Sequence, residues 1–265
     1  MYQSFYTGAL GAGSYMARMG VIANNLANIN NNGFKPKTAA FSDLLNYNLN
    51  DSEDAVTELQ SGNGVRMQRT YTTFTTDALA PTNAPLDFAL VDNNTFFMVQ
   101  DPVTGAITYT RDGHFRRGQL GEDFFVMTEA GKIVLDQNGE RLAADLPDLE
   151  RMIAALEEDY EEDEYESDDD DDYDDEEDLP RVGVYTFSNP SRLMSVGDNE
   201  FAAPEGMEAQ LADSAKVQSG ALERSGTDLA KEMAKLIECQ RAYSYALKMV
   251  ITSDEIESTI NSLRG

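Results

Sequence analysis

Both ends of the chain carry apolar residues at helical spacing. Near the amino terminus, positions three and four residues apart form one uncharged stripe: Tyr2, Phe5, Ala9, Ala12, Met16, Met19, Ala23 and Leu26. This alternation is the heptad pattern of helices that pack along a seam. The Asn-rich stretch 28–32, followed by Gly33 and Pro36, contains residues that stop helices. The pattern predicts a helix that ends near Asn30.

The carboxyl-terminal end repeats this spacing. Its stripe consists of Leu229, Met233, Leu236, Gln240, Tyr243, Leu247 and Val250. Thr227 and Asp228 precede the stripe as a helix cap and a first-turn acid. Beyond Val250 the stripe shifts to a neighbouring face of the helix, at Ile256, Ile260 and Leu263. The pattern predicts a second long amphipathic helix.

Between these helices the period of the apolar positions changes to two, which is typical of strands. The predicted strands lie at residues 65–75, 86–91, 96–100, 107–110, 124–128, 132–135 and 182–187. Asp92-Asn93-Asn94 has turn composition, and Asp112-Gly113 and Asn138-Gly139 predict tight hairpin turns. The expected fold class is therefore α+β, with a discontinuous terminal coiled-coil helical domain and an antiparallel, mainly-β central domain.

The expected domain organisation follows from these segments. Residues 1–45 form an amino-terminal core helix and turn, and residues 46–64 form a polar connector. Residues 65–210 form the β domain, and residues 211–265 form a carboxyl-terminal core helix that pairs with residues 1–45.

Charge separates one segment from the rest of the chain. The 48 acidic and 20 basic residues give a net charge of −28, and 18 of the 22 residues from 157 to 178 are acidic. Such a run cannot bury a core, so we expect a disordered, solvated insert in the β domain. A cation site or a basic partner is the alternative, but the run lacks the glycine turn and spaced Glu of a calcium loop. The overall charge excludes nucleic acid as a partner.

Few residues suggest reactive chemistry. The chain has one cysteine, Cys239, and one histidine, His114. It therefore cannot form an internal disulfide, and it lacks the four Cys or His ligands of a zinc finger. Cys239 next to the seam is interpreted as a packing residue, and His114 as part of the Asp112-Gly113 turn. No catalytic or phosphate-binding motif occurs, so no metal or cofactor is expected. Residues 1–34 are too polar to span a membrane and lack the regions of a secretory signal peptide.

The predicted helices would be about 45 and 54 Å long, so they should project from a compact body. One interpretation is a closed helical hairpin within the chain. The other is assembly of several copies, because uncovered apolar stripes mark interfaces. Small residues where helices can approach closely favour assembly: Gly8, Ala9, Gly11, Ala12 and Gly13.

Three groups of residues make the chain resemble a known family. Residues 22–35 and 41–45 resemble the amino-terminal signature of bacterial flagellar rod and hook proteins. Residues 86–97 and 109–115 resemble the family's central segment, although Asp92-Asn93-Asn94 departs from its usual turn. Residues 221–223, 228–230, 240–243 and 252–255 resemble its carboxyl-terminal signature. The chain is most similar to the rod proteins, and the distal rod in particular.

The resemblance implies a structural subunit of the flagellar basal-body rod that polymerises helically, forms a tube and transmits torque for motility. Its partners would be copies of itself, other axial rod and hook proteins and the flagellar type III export apparatus. It would be exported without a cleaved signal peptide, lie outside the cytoplasmic membrane and have no catalytic activity. The alternative is an envelope or secreted hydrolase that uses paired carboxylates on the β domain.

The apolar stripes and the resemblance together predict which residues contact neighbouring subunits. On the first helix they are Phe5, Ala9, Ala12, Met16, Met19, Ala23 and Leu26, and on the turn after it Asn24, Asn25, Asn28 and Gly33. On the second helix they are Leu229, Met233, Leu236, Gln240, Arg241, Tyr243 and Leu247.

Overall fold

The structure, a computed structural model, describes residues 2–44, 47–48, 60–144, 181–212 and 214–264. The described residues contain two α-helices and seventeen strands, and every strand pair among them is antiparallel. The fold class is therefore α+β. The acidic run 157–178 and most of the predicted connector 46–64 lie outside the described residues.

The elements have the following bounds. Helix α1 spans Tyr2–Ala27 and helix α2 spans Leu229–Arg264. The strands are β1 Lys37–Asp43, β2 Tyr47–Asn48, β3 Gln60–Ser61, β4 Val65–Thr72, β5 Leu79–Pro81, β6 Phe88–Leu90, β7 Thr95–Gln100, β8 Ile107–Thr110, β9 Arg116–Leu120, β10 Asp123–Met127, β11 Ile133–Val134, β12 Val184–Thr186, β13 Met194–Gly197, β14 Glu200–Ala202, β15 Gln210–Leu211, β16 Val217–Ser219 and β17 Ala221–Glu223. Within the described residues, neither helix offers an apolar stretch sufficient to cross a membrane.

The chain divides into two compact units. The helical unit comprises Met1–Ile29, Pro36–Thr72 and Thr227–Gly265, and the β unit comprises Asn30–Lys35 and Thr73–Gly226. Each unit is therefore built from segments that lie far apart in the sequence.

In the helical unit, α1 and α2 lie side by side, and a two-stranded ribbon of β1 and β4 packs against α1. The ribbon contacts the helix through the Ser14 hydroxyl, which donates to the carbonyl oxygen of Val65 at 3.0 Å. Strand β1 was not predicted, because its weak alternation becomes a strand only through pairing with β4. Helix α2 begins after Asp228, whose carboxylate accepts a hydrogen bond from the Lys231 amide at 3.2 Å. Asp228 is thus the amino-terminal cap of α2.

The β unit is built on a sheet of nine strands. Strand β7 forms hydrogen-bonded pairs with β8, β11 and β12. Successive side chains of β7 enter different cores. Phe97 and Val99 belong to one apolar cluster, and Phe96 and Met98 belong to the other. This strand is buried on both faces, because side chains of a strand alternate between the two sides of a sheet.

Of the two predicted hairpin turns, one forms and the other does not. Asn138-Gly139 forms the expected turn, with Gly139 at φ 79° and its amide donating to the carbonyl oxygen of Asp136. The prediction for Asp112-Gly113 is wrong, since β8 and β9 do not pair with each other. Gly113 instead passes so close to strand β6 that a Cβ atom there would lie 1.7 Å from the carbonyl oxygen of Phe88. Glycine is needed here for a close backbone approach and not for a turn.

Candidate functional site: two helix faces and a buried charge cluster

Helices α1 and α2 pack antiparallel along two rows of mostly small or polar residues. The Ser4 and Ser253 hydroxyl oxygens are 3.1 Å apart at one end, and the Asn25 amide donates to the Glu232 carboxylate at 3.2 Å at the other. The contacts and the spacing between them define an α1 row of Ser4, Gly8, Gly11, Tyr15, Arg18, Ile22 and Asn25. They also define an α2 row of Glu232, Leu236, Cys239, Tyr243, Ala246, Val250 and Ser253. Both rows keep the alternation of three and four residues.

Close approach of the helices explains why these rows contain small residues. A Cβ atom on Gly8 would lie 3.0 Å from the Val250 Cγ2 atom and 3.2 Å from the carbonyl oxygen of Ala246. The Cys239 thiol is buried and donates to the carbonyl oxygen of Tyr15 at 3.2 Å. Burial raises the pKa of this thiol. Cys239 is therefore a packing residue of the helix pair.

The contact rows differ from the predicted stripes. On α1, each predicted position from Phe5 to Leu26 follows a contact-row residue by one place, which turns the stripe away from the centre of the contact. On α2, the predicted stripe shares Leu236, Tyr243 and Val250 with the contact row and differs elsewhere. The larger apolar side chains consequently remain beside the contact or in solvent.

The predicted interface residues fall into three classes of exposure. Exposed are Phe5, Ala9, Met16, Ala23, Asn24, Leu229, Met233, Gln240, Arg241 and Leu247; half-buried are Met19, Leu26, Asn28, Leu236 and Tyr243; buried are Ala12, Asn25 and Gly33. Met16 is 64% exposed. Within residues 3–27, none of the exposed positions carries a charge. Helix α1 thus presents an uncharged face, rich in apolar and small residues, that α2 does not cover.

The three asparagines at the end of α1 have different roles. The Asn25 side chain is buried and binds the Lys37 backbone twice, donating to its carbonyl oxygen at 2.8 Å and accepting from its amide at 2.9 Å. The Asn28 amide donates to the carbonyl oxygen of Asn24 at 2.8 Å. The same carbonyl also accepts from the Asn28 backbone amide at 3.2 Å. Helix α1 ends at Ala27, before the predicted Asn30. The Asn24 side chain is exposed.

The β unit contains a buried charge cluster formed by Lys35, Asp77, Arg111 and Glu223. The Glu223 carboxylate accepts from Lys35 Nζ at 2.7 Å, from Arg111 Nε at 2.9 Å and from the Asp77 amide at 2.8 Å. The side chains of Lys35, Arg111 and Glu223 are fully buried. Asp77 lies 2.6 Å from Lys35 and its side chain is 31% exposed.

Further hydrogen bonds fix the cluster to the backbone. Arg111 donates to the carbonyl oxygen of Thr95 at 2.8 Å, and Lys35 donates to the carbonyl oxygen of Thr75. Gly33 has φ 61°, and its amide donates to the carbonyl oxygen of Glu223 at 2.7 Å. A Cβ atom on Gly33 would lie 2.4 Å from the carbonyl oxygen of Arg111, so a larger residue does not fit.

Each of the three sequence signatures contains one residue of this cluster, but no pattern in the sequence predicts that these residues meet. Lys35 lies in the amino-terminal signature, Arg111 in the central segment and Glu223 in the carboxyl-terminal signature. The available signal was weak: Lys35 and Glu223 are each the single charged residue of the stretches 22–35 and 221–223, whereas Arg111 lies next to Asp112. The three signatures therefore meet at one buried set of ion pairs.

The remaining candidates for chemistry have local structural partners. His114 Nδ1 lies 2.7 Å from the Asp87 carboxylate, and the Asp112 carboxylate accepts from the His114 amide at 3.0 Å. Burial raises the pKa of Asp112. Over the part of the chain that the structure describes, no three His, Cys, Asp or Glu side chains are grouped so as to hold a metal ion.

Comparison with known proteins gives consistent matches. Residues 218–263 match the family described as "Flagellar basal body rod FlgEFG protein C-terminal". The chain is 28% identical to the flagellar basal-body rod protein FlgG of Buchnera aphidicola subsp. Acyrthosiphon pisum, over 99% of this chain and 100% of that protein. It is 27% identical to FlgG of Borreliella burgdorferi, over 100% and 99% of the two chains, and 28% identical to FlgG of Bacillus subtilis, over 100% of both.

These matches extend over the helical ends and the central strands alike, and the family match covers most of α2. Together, the family match and the full-length relatives indicate a protein of the flagellar basal-body rod family.

Proposed function

We propose that this chain is a structural subunit of a bacterial flagellar basal-body rod and that it polymerises through its terminal helices. The observation that carries this proposal is the uncharged outer face of α1, where residues such as Phe5, Leu10 and Met16 are exposed. An apolar face of this length is unusual on a monomer and is typical of an interface.

The helix pair would form the inner, coiled-coil part of a tube, and the β unit would form its outer layer. Large apolar residues on the exposed side of α2, including Ile237, Tyr245 and Ile251, supply a second contact surface. Contacts between different faces of successive copies generate an open helical filament and not a closed ring. The partners would be copies of this chain and other axial rod and hook proteins.

The proposal includes delivery by the flagellar type III export apparatus to a place outside the cytoplasmic membrane, without cleavage of a signal peptide. It assigns the chain no catalytic step, since the relatives are named as rod proteins. The hydrolase alternative has no support from these relatives. The Asp112 carboxylate, whose pKa burial raises, accepts a hydrogen bond from the backbone amide of His114.

The test combines gene deletion with two matched charge substitutions. Deletion should abolish swimming and leave a truncated basal body. The wild-type gene and Val103→Glu should restore both, because Val103 is 90% exposed on a turn of the β unit. Met16→Glu should not restore them, since it places a charge on the exposed face of α1.

Two observations would contradict the proposal. One is complete basal bodies and normal swimming in the deletion strain. The other is full complementation by Met16→Glu. Circular dichroism and protection of the Cys239 thiol in purified Met16→Glu would separate an assembly defect from misfolding.

A further inference from the structure

We infer that residues 217–223, here called the closing segment, are required for the core of the β unit to form, and that the Glu223 carboxylate is the group that makes them indispensable. The unit would therefore stay open until a segment near the carboxyl end of the chain has joined it. Charge balance, strand pairing and chain order support this inference.

Charge balance is the first support. Lys35 and Arg111 are both fully buried, and Glu223 is the fully buried carboxylate that contacts both of them within the described residues. Asp77 contacts Lys35 and remains partly exposed. Without Glu223, closing the unit would bury Arg111 with no carboxylate in contact. Leaving one member of a buried ion pair uncompensated is strongly unfavourable.

Strand pairing is the second support. Strand β16 pairs with β6, and strand β17 pairs with β5. The side chains of β6, Phe88 to Leu90, are completely buried. The closing segment thus supplies the partners of two early strands as well as the anion of the charge cluster.

Chain order is the third support. Glu223 follows Lys35 by 188 residues and Arg111 by 112 residues. During synthesis from the amino terminus, both buried cations are therefore added to the chain long before the carboxylate that pairs with them. A chain that ends before the closing segment has neither the anion nor the two strands. Late closure would suit a subunit that must travel as an unfolded chain before it assembles; this use rests on the proposed function, whereas the requirement for Glu223 does not.

The equilibrium test uses full-length variants and hydrogen exchange at the amides of β6 and β7. Glu223→Gln keeps the size of the side chain and removes its charge. It should increase the opening equilibrium constant on the order of 100- to 1,000-fold. The control is Glu205→Gln, an exposed residue of the same unit, which should change this constant by less than about threefold.

A double-mutant cycle separates charge compensation from packing. Lys35→Met should have a smaller effect than Glu223→Gln, because Glu223 then still compensates Arg111. The combined variant should open less than the product of the two single changes, by roughly tenfold. Strictly multiplicative effects, or exchange in Glu223→Gln equal to that of the control, would overturn the inference. In the extreme case, the β unit of Glu223→Gln shows no protection of β6 and β7 at all, while that of Glu205→Gln and Lys35→Met stays protected. This result would also support the inference, as the largest possible effect of removing the carboxylate.

The kinetic test follows closure directly. During refolding of the wild-type chain, pulse-labelling should show β6, β7 and the closing segment gaining protection in the same phase. Protection of β6 and β7 in an earlier phase than residues 217–223 would also overturn the inference. Neither readout depends on filament formation or swimming, so failure here is distinguishable from failure of the proposed function.

Discussion

Neighbouring residues of the same type have different structural roles at the end of α1. Asn24 and Asn25 follow each other in the sequence, yet the side chain of Asn24 is exposed and that of Asn25 is buried. Asn25 satisfies both backbone groups of Lys37 and also donates to Glu232. It therefore joins α1, the start of β1 and α2 through one amide group.

We predict that Asn25→Ala lowers the free energy of unfolding of the helical unit by about 1–3 kcal/mol, because it leaves buried hydrogen-bonding groups of Lys37 without their partner. Urea denaturation followed by the helical circular dichroism signal measures this. Asn24→Ala is the matched control and should change the value by less than about 0.5 kcal/mol. Equal losses in the two variants would show that the buried amide has no special contribution.

The charge cluster marks the limit of what single residues reveal in a sequence. Lys35, Arg111 and Glu223 are widely separated along the chain, and no local periodicity links a buried cation to an acid so far away. Their positions within the signatures indicated importance but not contact. Pairing over such distances is decided by the tertiary fold, which local patterns do not encode.

At the scale of elements, the sequence predicted the two helices and the central strands but not which helix faces meet. The apolar stripes were assigned to the contact because large hydrophobic residues are usually buried. In the structure, Gly8, Gly11 and Ala246 allow the two backbones to approach closely, and the large residues are displaced outwards. The same displacement produces the uncovered face that supports assembly. A hydrophobicity pattern cannot distinguish a contact within a chain from a contact between chains.

The rate at which the Cys239 thiol is labelled reports how tightly the two helices pack. Gly8→Val places side-chain atoms against Val250 and the carbonyl oxygen of Ala246, whereas a Cβ atom on Gly13 meets nothing within 4 Å. Overpacking typically costs about 1–3 kcal/mol. Gly8→Val should therefore speed thiol labelling of Cys239 by roughly 5- to 150-fold relative to Gly13→Val.

The two variants share the helix-propensity change of replacing glycine by valine, so the difference between them reports the contact alone. Labelling at pH 8 is informative because burial raises the pKa of the Cys239 thiol, which keeps it protonated and slow to react in the packed state. Equal labelling rates would place Gly8 outside the helix contact. Gly13→Val should instead impair assembly, since Gly13 lies on the exposed face of α1.

At the scale of the whole molecule, charge opposes the assembly that the apolar faces favour. The net charge is −28, and residues 157–178 contribute 18 of the negative charges, which leaves −10 for the rest of the chain. Copies brought together in a filament repel one another over distances comparable to the Debye length. That length falls from about 10 Å at 0.1 M salt to about 3 Å at 1 M.

We therefore predict that the purified chain assembles more readily as the salt concentration rises, measured by light scattering and sedimentation velocity. Replacing the acidic residues of 157–178 by Asn and Gln should lower the salt concentration needed and flatten the dependence, because this change removes 18 charges and preserves the length. Deleting the run instead would alter charge and length together, and comparison of the two variants separates them. Assembly that weakens with added salt would show that attraction between opposite charges on neighbouring copies outweighs both the repulsion and the apolar contact, and the α1 face would then not be the main source of filament stability.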